Sequence, residues 1–544
     1  MPSPLRSSFV SAALLALLAV HAPGQAAPRL PGELAWAIRY DPKTFDPAKV
    51  DEQASELVRY LTGGVLLRLN RQTQEPEPQL AESFRLSPEG TLIVFKLRDG
   101  LRFSDGAPLT SEDAVWSLRR VLAPETQSIV ADEFLSPREV AVDAPDKLTV
   151  RVRLPKRVIG VEKIFDEIAI EPANRPSQGR VTSGPFTVAE YKRGQYLRLR
   201  RNPFYWRRDG AGAQLPYATG IRLDVLNSRE QEIALFLRGE YDLINDISPD
   251  YFGILAQKAP QSVHDLGASL NTEQLWFNQS ARAPLPDFEK AWFQNRSFRV
   301  AVSMAIHRAD LARIAYDGHA TPAFGFVSPA NAQWCNKDLK YPHESAAEAN
   351  KMLAAAGFHR GGNQLYDSAG HPVNFSILTN SGNPARLKMA AMIQQDLAAI
   401  GMQVTVVPLD FPALIERLMN KQDYEASLLG VTNAEPDPSS MMNMWLSSSA
   451  NHQWNPSQKT PATAWEAEID KLMQQQASSP SPHLRKLAVD RVQQIVADWQ
   501  PFIYLVYPNL LQAVSPRLRG VQPAILSPGP AWNIAWISRQ GGAR

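Results

Sequence analysis

An α/β fold follows from three features of this 544-residue chain. First, "VNFSILTNSGNPARLKMAAMIQQDLAAIGMQVTVVPL" reads as strand, amphipathic helix and strand, a βαβ unit and hence a piece of parallel sheet. Second, short alternating strands bounded by turn signals fill the first half, as in "GTLIVFKLRDG" and "FTVAEYKRGQYLRLR". Third, the texture changes from Asn271 onward to longer helices between short strands. The length implies about two to four domains, and 44% hydrophobic residues suffice for a large core.

The chain opens on "MPSPLRSSFVSAALLALLAVHAPGQAAPRL". Arg6 supplies a positive start, Phe9 to Val20 an apolar run too short to span a bilayer, and "GQA" a small-residue cleavage site near Ala26. Residues 1–26 are therefore expected to be a cleavable secretory signal and the protein periplasmic. No cysteine follows the apolar run, so a lipid anchor on an N-terminal cysteine is not expected. No other apolar run approaches the roughly 18 residues of a spanning helix, so the mature chain is expected not to be membrane-inserted. Formal charge is 57 − 55 = +2, too balanced for a polyanion-binding surface, and no nucleic-acid partner is expected. Cys335 is the only cysteine, which leaves no disulfide framework; a small buried hydrophobe is its expected role.

In "LRFSDGAPLTSEDAVWSLRRVL", Leu101 to Leu122, three acidic residues crowd a turn and a helix start. Asp105 belongs to a Ser-Asp-Gly turn and can bond its own backbone. Thr110 is an N-cap with Asp113 three residues on, a capping-box pattern, and Glu112 and Asp113 sit where the helix dipole favours them. Val115, Leu118 and Leu122 fall on one helical face. The cluster reads as scaffold, not as a catalytic site. Before it, Ile93, Phe95 and Leu97 alternate with Leu92, Val94 and Lys96 in a strand.

A second hairpin runs from Phe186 to Tyr191 and from Gln195 to Arg200 around "KRG". "SREQEIALFLRGEYDL" is a capped helix stopped by Gly239 and followed by a strand. In the βαβ unit Val373 to Leu378 is the first strand, Met389, Ile393, Leu397 and Ile400 line the helix, Gly401 stops it, and Met402 to Val407 is the second strand. Ser481-Pro482 opens a further helix through Trp499, with "PFIYLVYP" as a strand after it.

HExxH, P-loop, EF-hand and Gly-x-Ser-x-Gly motifs are all missing from the sequence. Among nine histidines no two have a convincing metal-ligand spacing; His452, near Trp454, is the only one that invites suspicion, and its plainer reading is a solvent-facing loop histidine. No catalytic residue, metal ligand or cofactor is therefore expected, and the protein is not expected to be an enzyme.

"PQLAESFRLSPEGTLIVFKLRDGLRFSDGAPLTSEDAVWSLRRVL" resembles the signature region of the family-5 extracellular solute-binding proteins, the peptide and dipeptide receptors of ABC importers. The resemblance continues in the family's order through "TFDPAKV", "SGPFTVAEYKRGQYLRLRRNPFYW", "LRGEYDL", "FQNRSFRVAVSMAIHRADL" and "EANKMLAAAGF". It implies a two-lobed periplasmic-binding-protein (type II) fold with an extra N-terminal subdomain and a hinge between lobes. The first lobe would take residues 27–70, 180–270 and 509–544, the accessory subdomain 71–179, and the second lobe 271–508. It further implies hinge closure on a small solute or peptide, delivery to an inner-membrane ABC permease, and a monomer.

Relatives hold a ligand's α-ammonium with the aspartate of a "GWxxDY" motif. Here that stretch is "GVTNAEPDP", where Val431 replaces the Trp, Ala434 the Asp and Glu435 the Tyr. A buried ammonium without a carboxylate carries a desolvation cost of several kcal/mol. Either Glu435, Asp437 or Asp51 reaches the same point, or the ligand is a non-peptide solute such as an oligosaccharide, an opine or a metal chelate. Asp51 to Gln53 match a cleft-lining segment of the peptide-binding relatives. Trp276 and Asn278, flanking Phe277, lie where the chain enters the second lobe, though an ordinary core strand explains them as well. Thr432 and Asn433 keep neutral polar capacity, and Asn451, His452 and Trp454 form a polar and aromatic loop. Independently of any family, Arg386 sits at a helix start just past a parallel strand's carboxyl end, a place where a ligand carboxylate could bind; the plainer reading is a solvated surface arginine. A periplasmic hydrolase and a sensor-coupled binding module are the competing classes.

Overall fold

The computed structural model describes residues 29–134, 136–173, 179–432 and 436–540. The expected leader, residues 1–26, lies outside them. Three sheets organise the chain.

The first sheet orders Glu33–Ile38, Gly220–Val225, Tyr196–Arg201 and Phe186–Lys192. Glu33–Ile38 runs parallel to Gly220–Val225, and the other pairs are antiparallel. The expected hairpin turns at Gly194, whose φ of 72° is open to glycine at no steric cost. Leu34, Leu197, Leu199, Ile221 and Leu223 form its core together with Val514 and Ile537 from the chain's far end.

The second sheet is antiparallel, in the order Ala81–Leu86, Leu92–Leu97, Thr149–Arg153, Ala141–Asp146. Ile93, Phe95 and Leu97 point into its core, as their alternation predicts, and meet Val115, Leu118 and Leu122 of the helix Ser111–Leu122.

The third sheet has eight strands. Asn374–Asn380 lies parallel to Gln403–Leu409 on one side and to Ala426–Val431 on the other, with the helix Pro384–Ala399 as crossover. Met389, Ile393, Leu397 and Ile400 are fully buried against it, and Gly401 ends the helix at φ 86°. Beyond Ala426–Val431 the sheet turns antiparallel, through Thr272–Phe277 and Phe502–Val514. The sheet is therefore mixed, although the sequence shows only its parallel part.

Phe502–Val514 is longer than the "PFIYLVYP" expected of it and joins two parts of the molecule. Residues 502–506 pair with Glu273–Trp276, and residues 509–513 pair with Val263–Ala268. Pro508, which has no N–H to donate, pairs with Ala320 at the changeover, and its carbonyl accepts from Ser269 N at 2.9 Å.

Candidate functional site

The three parallel strands end on one edge of the third sheet, the place where open α/β sheets receive ligands. The helix Pro384–Ala399 begins there. Asn383 caps it by accepting from Arg386 N at 3.1 Å, so part of the need of the helix start is met within the chain. The Arg386 guanidinium is engaged too: Nε and Nη2 donate to Glu273 at 2.7 and 2.9 Å, and Nη1 to Asn380 Oδ1 at 2.9 Å. Burial works against the charge on Arg386, but Glu273 more than offsets it and holds the guanidinium above its usual value. Tyr316, buried beside the pair, has its hydroxyl pushed far up by burial and by Glu273. Gly430 lies flat against this group. A Cβ there would stand 2.3 Å from Arg386 Nη2 and 2.7 Å from Glu273 Oε1, so only glycine lets the pair rest on the strand. Arg386 is neither a solvated surface residue nor an open anion site; it is one half of a buried ion pair.

Beyond Ala426–Val431 the chain is pinned a second time. Asp437 accepts from Ser439 N at 2.9 Å and from both terminal nitrogens of Arg485, at 2.6 and 3.1 Å. Burial alone would raise the Asp437 carboxyl; the bonds from Arg485 hold it below the usual range. The Arg485 guanidinium also sits 4.8 Å from the centre of the Trp334 ring. From the neighbouring loop, Asn331 Nδ2 donates to Pro436 O at 2.7 Å. Asp437 is thus an anchor whose charge is already met.

Of the residues singled out from sequence, Thr432 is exposed at the strand's end, while Asn433 and Glu435 lie outside the described residues. Asp51 and Gln53 are exposed at the start of the helix Gln53–Thr62, where Asp51 reaches Lys43 at 3.4 Å. The others, apart from the half-buried Asn451, are packed inward. Trp276 is 2% exposed, crosses Phe502 edge to face, and donates from Nε1 to Tyr424 Oη at 3.1 Å. Asn278 donates to the carbonyls of Gln422 and Tyr424 at 2.9 and 3.1 Å. His452 is buried, which corrects the reading of a solvent-facing histidine: Nδ1 faces Met444 O at 3.0 Å and Nε2 faces Glu466 at 3.2 Å. Trp454 Nε1 donates to the same Glu466 oxygen at 3.1 Å, and Asn451 N donates to Ser449 Oγ at 3.1 Å. The apolar surroundings of Trp454 make this loop part of the core. Cys335 is half-buried, and burial pushes its thiol up.

A third cluster marks the changeover on the long strand. Asp265 accepts from Asn509 Nδ2 at 3.0 Å and lies 2.7 Å from His319 Nδ1; the His319 ring meets Phe252 edge to face. Burial opposes the charge of Asp265, and its bonds, that to His319 first, keep the carboxyl below its usual range.

Sequence reasoning missed Glu273, Arg485, Asn331, Asp265 and His319. Arg485 pairs with a residue 48 positions away and Glu273 with one 113 away, separations that no local pattern reports. Their partners Asp437 and Arg386 were singled out from sequence, the first as a carboxylate beside the changed motif and the second at a helix start. Among the described residues no three His, Cys, Asp or Glu side chains are placed to hold a metal ion, and no helix is long and apolar enough to cross a membrane.

The architecture is two-lobed, with three parallel strands ending on one edge of the third sheet. The model of the bacterial extracellular solute-binding proteins, family 5, matches residues 75–453, and the chain belongs to that family, whose members are periplasmic or extracellular receptors of ABC transporters and not enzymes. It is 27% identical to a probable ABC transporter-binding protein of Deinococcus radiodurans, over 88% of this chain and 87% of the relative. It is 23% identical to the oligopeptide-binding protein AppA of Bacillus subtilis, over 91% and 89%. Among solved structures it superposes on NikA of Brucella suis in complex with Fe(III)-EDTA with a TM-score of 0.77 at 18% identity, over 93% of this chain and all of that one.

Proposed function

We propose that this chain is the periplasmic receptor that captures a peptide by hinge closure and hands it to an inner-membrane ABC permease. The long strand Phe502–Val514 carries the reading. Because it pairs with one set of strands before Pro508 and another after it, the two lobes share a backbone that can bend where the pairing changes. The same changeover supports division at 270/271 and 508/509, with a first lobe of residues 27–70, 180–270 and 509–544, an accessory subdomain of 71–179 and a second lobe of 271–508. A ligand touching both lobes only when they are closed shifts the population toward the closed form. Export by a leader cleaved near Ala26 and action as a monomer complete the proposal. The oligopeptide-binding relative favours a peptide as cargo.

Native mass spectrometry of the protein purified from its host periplasm tests it, with release and identification of what is bound. A mixture of short peptides is expected. A single non-peptide species would overturn the peptide assignment. That second reading has one observation behind it: Asp437, the described carboxylate nearest the changed motif, is already held by Arg485. A metal chelate, as in the NikA complex, is then the kind of solute to look for.

A further inference from the structure

A small cavity lies where the lobe junction meets the chain leaving residues 433–435. Leu270, Phe326, Val327, Asn331, Pro436 and Met441 are among its walls, and it has room of about 20 Å³, enough for one water-sized group. The walls are apolar except for Ser328, whose Oγ accepts from Ala330 N at 3.2 Å, and Asn331. Asn331 is 93% buried (7% exposed), and its Oδ1 has no hydrogen-bond partner among the described residues.

The orientation of that amide is fixed. Nδ2 donates to Pro436 O at 2.7 Å, and a flipped amide would set Oδ1 against another oxygen. The loop beneath is rigid as well. Tyr507 Oη donates to Gly325 O at 2.8 Å, Asn331 N donates to Ser328 O at 2.9 Å, and Asn331 O accepts from Trp334 N and Cys335 N at 3.1 and 2.9 Å. A preorganised acceptor therefore stands in a mostly apolar recess, with no partner for Oδ1 among the described residues. An unmet buried acceptor is unfavourable, and any group that supplies a proton to it binds more tightly for doing so.

We propose that Asn331 Oδ1 is a specificity-determining acceptor for an N–H group of the peptide ligand, an assignment that rests on the peptide-receptor reading above. An amide N–H fits the recess and the acceptor. A carbonyl or carboxylate oxygen set against Oδ1 would meet it with no proton between them, so the discrimination is exerted at Asn331 and not on the Ser328 side of the recess, where a hydroxyl can donate.

The test titrates the mature protein and two variants with di-, tri-, tetra- and pentapeptides of alanine, with native mass spectrometry as the readout and thermal melting as a check on folding. Asn331→Ala removes the acceptor and should weaken the best peptide about tenfold. Asn331→Asp, titrated at a pH low enough to keep the buried carboxyl protonated, donates to Pro436 O in place of Nδ2 and still accepts an N–H on its other oxygen, and should stay within about threefold of the parent. Equal loss in both variants would make Asn331 a loop anchor and overturn the assignment. Unchanged affinity in both, with the recess holding only a water, would overturn it equally. Should the alanine variant fail to fold, a tenfold loss in the aspartate variant alone is enough to reject it. A parent protein that takes up none of the peptides removes the peptide reading and this assignment together, whereas a parent that binds them beside unaffected variants removes only this one.

Discussion

The acidic turn and helix of residues 101–122 and the edge of the third sheet where its parallel strands end use charge in opposite ways. In the first, carboxylates are crowded in sequence and Asp105 and Asp113 serve backbone N–H groups: Asp105 Oδ1 accepts from Ala107 N at 3.0 Å, and Asp113 accepts from Thr110 N at 2.8 Å and from the more distant Ala173 N at 3.0 Å. In the second, the buried Glu273 and the partly buried Asp437 are matched to arginines from distant elements. Crowded charge along the chain here serves backbone N–H groups, whereas the charges at the sheet edge are met by arginine side chains brought in by the fold. Each prediction below tests how far that contrast extends.

The largest effect belongs to Glu273→Ala. Side-chain exposure of Arg386 is 15%, so loss of its partner strands a largely buried guanidinium beside Gly430 and Tyr316. Breaking such a pair costs about 3–5 kcal/mol, while replacing both halves with apolar groups costs much less. Chemical denaturation should show that loss in Glu273→Ala and a partial recovery in Glu273→Ala with Arg386→Met. A single variant as stable as the parent would mean that the pair is solvated in solution, and the contrast between the regions would fail.

This division also explains what the sequence disclosed. Its strands, its βαβ unit and the capping box at Thr110 and Asp113 are local patterns, set by alternation, helical spacing and turn chemistry within a few residues, and they appear where expected. The family's order of motifs carried the two-lobed fold. Even a conspicuous motif can be structural: Arg308 of "AIHRADL" is buried and donates to the carbonyls of Ala323, Tyr504 and Ser303 at 3.0, 2.7 and 2.8 Å, a staple across the sheet. The site was barely legible, because its members are joined by pairings over 48 to 244 residues. His452 and Trp454 misled for the related reason that a polar loop, once its donors find Glu466, is as buried as any core.

Glu466 supplies the next effect, through pH. Burial opposes its charge, yet the bonds from His452, Gln458 and Thr463 hold the carboxyl below the ordinary glutamate value of 4.5. A carboxyl depressed in the folded state contributes stability that is fully present above its unfolded value and is lost as pH falls through the folded one. The parent's melting temperature should therefore hold down to about pH 5 and drop below it, by this contribution among others. Glu466→Gln should be less stable at neutral pH by about 1–3 kcal/mol, because it disturbs a network of buried donors, and should lose part of the acid-side slope. Parallel melting curves against pH for the two proteins would remove Glu466 from the account.

The smallest effects fall on the acidic stretch that is most conspicuous in the sequence. Asp113→Ala removes half of a capping box and should cost about 1 kcal/mol, since water can replace only some of what the cap supplies. Asp105→Ala, on an exposed turn, should stay within about 0.5 kcal/mol of the parent. Neither change should move ligand affinity by more than twofold, because the helix Ser111–Leu122 packs on the accessory sheet and not on the edge where the parallel strands end. Both quantities come from the same pair of variants, by denaturation and by titration with the peptides named above. A tenfold loss of affinity with little loss of stability would reverse the contrast and place ligand contact in the accessory subdomain. Loss of stability alone, in the order Asp113 before Asp105, is what carboxylates bound to backbone N–H groups must give.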